Sequence, residues 1–284
     1  MGMREPLVTM VHACRRDGRG GSPTAVLAES GLSDEERAAV ARRSGASHAV
    51  FVAEGAEGSV DGGGAALRFF TAEGELPACG HGTVAALAYL AERAGGGARR
   101  PYEVALRVGG RSFGGRAVRD GGAYLAEFRT GRVELRAAGE DEAGLVREAL
   151  GHTREGFPDG AQIASLGRPR ILLPVADRDV LRALDPDQAR LRAVCDRLGL
   201  LGCYAFTPPA EGGRLAARMF APSIGVPEDI ANANSTACLA AWLTGRGVAG
   251  VTVEMGDALG VPSAVTAVAE PDLSVRVGGW ATVG

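Results

Sequence analysis

The chain of 284 residues contains no lysine, so all 31 of its basic residues are arginine. Schiff-base catalysis, pyridoxal phosphate anchoring and a P-loop each need a lysine amine, and all three are thereby excluded. Asparagine is almost as scarce, with only Asn232 and Asn234, two positions apart in one polar segment. A GC-rich genome accounts for the glycine, alanine and arginine excess, but not for that clustering. The five cysteines, Cys14, Cys79, Cys195, Cys203 and Cys238, are odd in number and include no C-x-x-C pair. That pattern argues against a disulfide framework and against structural zinc, so no metal is expected. A net charge of -3 provides no basic field for nucleic acid. No apolar run reaches membrane length, and Met1–Leu7 does not read as a charged-then-apolar leader. The expectation is a soluble, cytoplasmic protein without nucleic-acid or membrane partners.

Against these absences stands Pro77-Ala78-Cys79-Gly80-His81-Gly82-Thr83, followed by the apolar run Val84–Leu90. First-turn amides of a helix have no internal partners and attract carboxylates. Glycines let a ligand approach the backbone. The segment therefore reads as a small-acid site with a thiol and an imidazole in its rim.

The chain also repeats itself at an offset of about 150, a signal that bears on architecture before any single motif does. Ser33-Asp34-Glu35-Glu36 is a capping box opening a helix that stops at Gly45, and Asp185-Pro186-Asp187 opens one that stops at Gly199. Leu191, Val194, Cys195 and Leu198 share a face of the second, which makes Cys195 a core residue. Short apolar strands follow at 48–52 and 202–206. Then Arg68-Phe69-Phe70-Thr71 answers Arg218-Met219-Phe220-Ala221, each leading to a loop, 74–77 and 225–227. After a three-residue insertion Thr83 meets Thr236, Tyr89 meets Trp242 and Arg93 meets Arg246. Two similar domains facing across a pseudo-dyad would bring both helix starts to one cleft, with Asn234 as the counterpart of His81. Glycines at 62–64, 95–97 and 121–122 read as turns between strands such as Tyr102–Val108 and 123–128. Segment 140–150 reads as an amphipathic helix with Leu145, Val146, Ala149 and Leu150 inward, and 273–283 as a strand. The domains are placed at 1–133, completed by a strand at 273–284, and at 134–272.

These pieces, in order, resemble the PhzF-like isomerases of the diaminopimelate epimerase superfold. Gly21-Ser22-Pro23-Thr24-Ala25-Val26 resembles the family's G-N-P-x-A-V, and Ser47–Val52 its S-E-T-x-F-V strand. Glu75–Thr83 resembles E-L-P-x-C-G-H-A-T, while Arg218–Pro222, Gly225 and Glu228-Asp229 resemble R-x-F-A-P, G and E-D. The resemblance implies an α+β fold of two pseudo-symmetric domains, each a curved antiparallel sheet wrapped around a central helix, with the active site between them. It further implies a homodimer, and proton transfer on a small carboxylic acid without cofactor or metal. The family's glutamate acid/base falls on His48, its motif histidine on His81 and its E-D aspartate on Asp229. Cys79, Gly80 and Gly82 would bind substrate. So would Asn232-Ala233-Asn234-Ser235, where the family has a T-G-S-A turn.

Each of these positions has a plainer reading. His48 could be a satisfied structural histidine, yet an imidazole can shuttle a proton near neutral pH without the burial a carboxylate needs. His81 could merely cap its helix, and Asp229 could merely favour the helix dipole. Asn232 and Asn234 could serve loop geometry, but their clustering favours ligand contact. Cys79 opens a rival mechanism, two-base epimerisation, which needs a second cysteine. In ungapped register Asn232 opposes Cys79, and Cys238 lies among apolar residues like an inert thiol. His12 replaces an acidic residue common on the family's first strand, and His152 reads as a surface loop residue. The favoured expectation is an isomerase moving a proton and a double bond on a cyclic amino or imino acid. These departures from the family pattern resemble the branch serving 4-alkyl-proline antibiotic biosynthesis. The alternatives are a cysteine-type epimerase and a non-catalytic small-acid binder.

Overall fold

The computed structural model describes residues 7–55, 64–95, 100–151 and 156–284, so the readings at 62, 63, 96, 97 and His152 fall outside the described residues. The chain forms two compact units, Met1–Arg129 with Gly278–Gly284, and Thr130–Val277.

The first unit contains strands β1 (Thr9–Arg15) and β2 (Ser22–Ala28), helix α1 (Asp34–Ser44), and strands β3 (His48–Glu54), β4 (Gly64–Thr71) and β5 (Gly74–Leu76). Helix α2 (Gly80–Arg93) and strands β6 (Tyr102–Val108), β7 (Arg111–Asp120) and β8 (Ala123–Arg129) follow. Ser33 and Glu36 close the reciprocal capping box of α1, and Gly45 ends it in the left-handed region at φ 69°. That helix is the crossover that lets β2 and β3 pair in parallel, Thr24 opposite His48. Antiparallel pairing joins β3 to β4, β6 to β7, and β7 to β8, while β4 and β6 are parallel. The final strand of the chain, β17 in chain order (Val275–Val283), pairs with both β1 and β8 and closes the ring. Helix α2 packs on β1, β2, β3, β4, β7 and β8 and is buried from Gly80 to Ala91. Strand β3 is consequently covered on both faces, which accounts for its unbroken apolar run. Ala49 and Phe51 meet the core under α1, so alternation turns His48 and Val50 the other way, toward α2.

The second unit has β9 (Glu134–Ala137), α3 (Glu140–Ala149), β10 (Gln162–Ser165), β11 (Pro169–Pro174), α4 (Arg178–Ala183) and α5 (Gln188–Leu198). It continues with β12 (Cys203–Phe206), β13 (Arg214–Ala221), β14 (Val226–Asp229), α6 (Ala233–Thr244), β15 (Val251–Met255) and β16 (Ser263–Ala269). Its pairings repeat those of the first: β11 and β12 are parallel, β12 and β13 antiparallel, β13 and β15 parallel, β15 and β16 antiparallel. Helix α6 packs on β10, β11 and β16. Cys195 is fully buried in the core under α3 and α5, as its helix face requires. On α3, Leu145 is only half-buried and Arg147 is buried instead, its guanidinium 2.9 Å from Glu140. The stretch 74–77, expected as a loop, instead contains the short strand β5, and 225–227, also expected as a loop, leads into β14 from its second residue. A glutamate on each pairs with the R-x-F arginine, Glu75 with Arg68 and Glu228 with Arg218.

Register equates two positions that the sequence alone left unmatched. Phe51 opposes Arg68 and Ala205 opposes Arg218, so counting back three residues makes Gly202 the counterpart of His48. A Cβ at Gly202 would sit 2.0 Å from the Phe220 carbonyl oxygen and 2.9 Å from the Ala221 Cα. Backbone cannot swing aside as a side chain does. Gly202→Ala is therefore expected to destabilise the protein by about 3 kcal/mol, the upper range for overpacking, seen as a lowered unfolding midpoint. An unchanged midpoint would contradict it.

Candidate active site

The first unit gathers its chemistry where β3 starts beside the start of α2. Cys79 is the N-cap of α2 in extended conformation, and its Sγ accepts from the Gly82 N–H at 3.3 Å. Thr83 Oγ1 returns a bond to the Cys79 carbonyl at 2.8 Å. Gly82 is needed for closeness, since a Cβ there would lie 3.0 Å from both Cys79 Sγ and Phe69 Cδ1. One residue into the helix, His81 turns its Nε2 to within 3.4 Å of Cys79 Sγ and 2.9 Å of His48 Nδ1. The two rings meet edge to face at 79°. Ser47 Oγ lies 3.1 Å from the same His48 nitrogen. His48, Cys79 and His81 are all buried. By contrast, His48 Nε2 has no hydrogen-bond partner among the described residues.

Burial first, and then repulsion from His81, hold the His48 pKa well below its ordinary 6.5. At neutral pH the ring is therefore uncharged and able to accept a proton. The nitrogen and sulfur atoms of His48, Cys79 and His81 lie within 4.8 Å of one another, which raises the question of a shared metal ion. A tetrahedral ion with bonds near 2.0 Å would hold two ring nitrogens about 3.3 Å apart. The 2.9 Å between them is a hydrogen-bond distance. This arrangement fits a proton better than an ion.

In the second unit the start of α6 is built the same way with different groups. Asn232 is the N-cap, its Oδ1 accepting from the Ser235 N–H at 2.8 Å, and Thr236 Oγ1 bonds the Asn232 carbonyl at 3.0 Å. Asp229, at the end of β14, accepts from Asn232 Nδ2 at 2.9 Å and from the Ala231 N–H at 3.3 Å. The carboxylate thus orients the cap. Asn232 bonds both Asp229 and the helix start, as loop geometry requires. Asn234 is half-buried on the first turn and makes no side-chain hydrogen bond among the described residues. Ala233 and Ser235 are buried, and Ser235 Oγ reaches Met219 Sδ at 3.5 Å. Cys238 is buried deeper in α6, its pKa raised by burial, and accepts from Arg170 at 3.3 Å. His12, on β1, is exposed. Removing the cap in Asn232→Ala is expected to cost about 1 kcal/mol, measured by denaturant unfolding. Asn232→Ser, which retains a cap acceptor without setting a second carboxylate against Asp229, should lose less; equal losses would count against the cap.

Sequence reasoning passed over Ser47 and Ser22. Ser47 Oγ lies 2.9 Å from Ser22 Oγ and 2.9 Å from the Pro23 carbonyl oxygen. The available signal was the polar pair at the entrances of two apolar strands that cross over in parallel.

Two units of one plan, each with a capped helix start beside a parallel strand pair, define an epimerase-like fold. The family described as "Phenazine biosynthesis-like protein" matches residues 13–284, and the chain belongs to it. It is 30% identical over 258 residues to the trans-2,3-dihydro-3-hydroxyanthranilate isomerase of Pseudomonas fluorescens, covering 88% of this chain and 85% of that one. It is also 30% identical over 283 residues to an uncharacterized isomerase of Deinococcus radiodurans, covering 94% and 88%. A solved structure of a predicted epimerase from Pseudomonas aeruginosa superposes with a TM-score of 0.83 at 25% identity, covering 99% and 97%.

Proposed function

We propose that the protein is a cofactor-independent isomerase that moves a proton, and with it a double bond, on a small unsaturated cyclic amino or imino acid. The observation that carries this reading is His48, a buried imidazole with Nδ1 engaged and Nε2 without a partner among the described residues, its pKa held down by burial. Such a group can take a mildly acidic C–H proton on one atom and return it to another carbon. The first-turn amides of α2, at Gly80 and its neighbours, are the proposed seat of the substrate carboxylate. His81 shares the proton charge of His48, and Cys79 holds the helix start open. Asp229 is assigned the substrate nitrogen, with Asn234 and Ser235 as further contacts. The replacement of the family's glutamate by His48 supports a substrate other than the ring amino acid of phenazine synthesis, and a pyrroline carboxylate of 4-alkyl-proline type fits it. A cytoplasmic homodimer completes the proposal. Among the described residues, no helix is long and apolar enough to cross a membrane.

Cysteine-type epimerisation needs a thiol at both helix starts. Asn232 occupies the second N-cap, where Cys79 occupies the first, and Cys238 is buried with a raised pKa. Incubating unsaturated pyrroline carboxylates with the enzyme in deuterated water, followed by NMR, tests the proposal. Deuterium moving along the conjugated system is expected. Label confined to Cα would mean epimerisation, and no label with any such acid would defeat the reading.

A further inference from the structure

We infer that Ser47 is a positioning residue that fixes the tautomer of His48, so that Nδ1 carries the ring proton and Nε2 is the atom that exchanges protons with substrate. The catalytic consequence rests on the function proposed above; the tautomer itself does not.

The argument is an accounting of protons. Ser47 has a single hydroxyl proton and three neighbours within hydrogen-bond reach: the Pro23 carbonyl oxygen at 2.9 Å, Ser22 Oγ at 2.9 Å and His48 Nδ1 at 3.1 Å. The Pro23 carbonyl takes the Ser47 N–H at 2.9 Å on one lone pair and, being an acceptor only, offers the second to the Ser47 hydroxyl proton. The lone pairs left on Oγ must then be met by donors. The Ser22 hydroxyl supplies one and the Nδ1–H of His48 the other. Protonated at Nδ1, the neutral ring bears its lone pair on Nε2, the nitrogen with no partner among the described residues. The same Nδ1–H lies 2.9 Å from His81 Nε2, which accepts as a second centre.

The step balances. A substrate C–H proton moves to His48 Nε2, and the C–H electron pair stays on the substrate as a conjugated carbanion. The imidazolium spreads its charge through Nδ1–H onto His81 and Ser47. Return of the Nε2 proton to a different carbon restores the neutral ring in its original tautomer. Were Nδ1 the unprotonated nitrogen, Nε2 would carry a proton already and could not begin the cycle.

The chain has four histidines, so long-range proton–nitrogen NMR on histidine-labelled enzyme can read the His48 ring directly. The expected result at pH 7.5 is a protonated Nδ1 and an unprotonated Nε2. In Ser47→Ala the ring should pass to a mixture of tautomers, with kcat falling roughly tenfold, a part of the 10² to 10⁴ that acid–base catalysis supplies, and KM unchanged. Ser47→Thr restores the hydroxyl and should restore both tautomer and kcat. Ser22→Ala leaves the Pro23 acceptor and the His48 donor in place, and should leave the tautomer as it was. A proton on Nε2 in the wild type, or an unaltered His48 signal in Ser47→Ala, would overturn the inference. If the tautomer is as expected but no acid is isomerised, the proposed function fails and the assignment of Ser47 stands.

Discussion

Replacing His48 by alanine is expected to lower the turnover of the isomerised acid by about 10² to 10⁴, the contribution of a positioned general acid–base, with the fold retained. His48→Gln keeps volume and a hydrogen-bonding end but cannot carry a proton, so it should lose as much. Turnover within a few-fold of wild type in either variant would remove His48 from the chemistry. The pH dependence follows from the depressed pKa. Its titratable neighbours across the α2 start are His81 and Cys79, while the adjoining strand offers Ser22 and Thr24. Because the reactive form is the neutral ring, kcat/KM should stay level as pH falls through 6.5 and decline only in more acidic solution. An inflection at 6.5 would mean a solvated, unperturbed imidazole. Stability carries the same sign. Below about pH 6.5 the unfolded chain protonates His48 while the folded chain resists. The His48 contribution is in place above that pH and is lost as pH falls from there through the folded value.

Much of this was legible in the sequence because the decisive signals were local. The capping box at Ser33, the stop at Gly45 and the face containing Cys195 are each decided within a few residues. The duplication could be read because arginine and phenylalanine recur at matched positions on β4 and β13. Strands β5 and β14 escaped notice because three or four residues that include a glycine or a proline have no periodicity to detect. Their existence rests on a charge pair to the neighbouring strand. The candidate site was legible as a set of residues but not as a set of bonds. His48 and His81 are 33 positions apart, and their contact depends on β3 turning one face toward α2. Ser22 and Ser47 meet only because β2 and β3 run in parallel after the α1 crossover. The role of Asn232 was ambiguous for a different reason: an amide serves a cap or a ligand equally well, and the sequence does not show the 2.8 Å bond from the Ser235 N–H that makes it a cap.

The matched arginines supply the second large effect. Arg218→Met is expected to cost about 3 to 5 kcal/mol, as for a broken buried ion pair, while Arg68→Met at the equivalent position should cost about 1 kcal/mol or less. Both arginines make a two-nitrogen bond to their glutamate, and both stack on the phenylalanine two residues on, at 4.8 Å for Arg218 and 5.0 Å for Arg68. Those terms nearly cancel in the comparison. Burial does not cancel: the Arg218 and Glu228 side chains are 12% and 10% exposed, against 35% and 41% for Arg68 and Glu75. Arg218 also donates to the carbonyls of Leu181 and Leu184, at 3.1 and 2.7 Å, and so ties down the end of α4. Its loss leaves a carboxylate and the Leu184 carbonyl oxygen without their donor, and the Leu181 oxygen with only the Leu184 N–H at 3.4 Å. Replacing both members, Arg218→Met with Glu228→Leu, removes the stranded charge and should recover a large part of the loss. Denaturant unfolding of the three variants beside the wild type reads the pattern directly. Equal losses at Arg68 and Arg218 would mean that the motif, and not its burial, sets the cost.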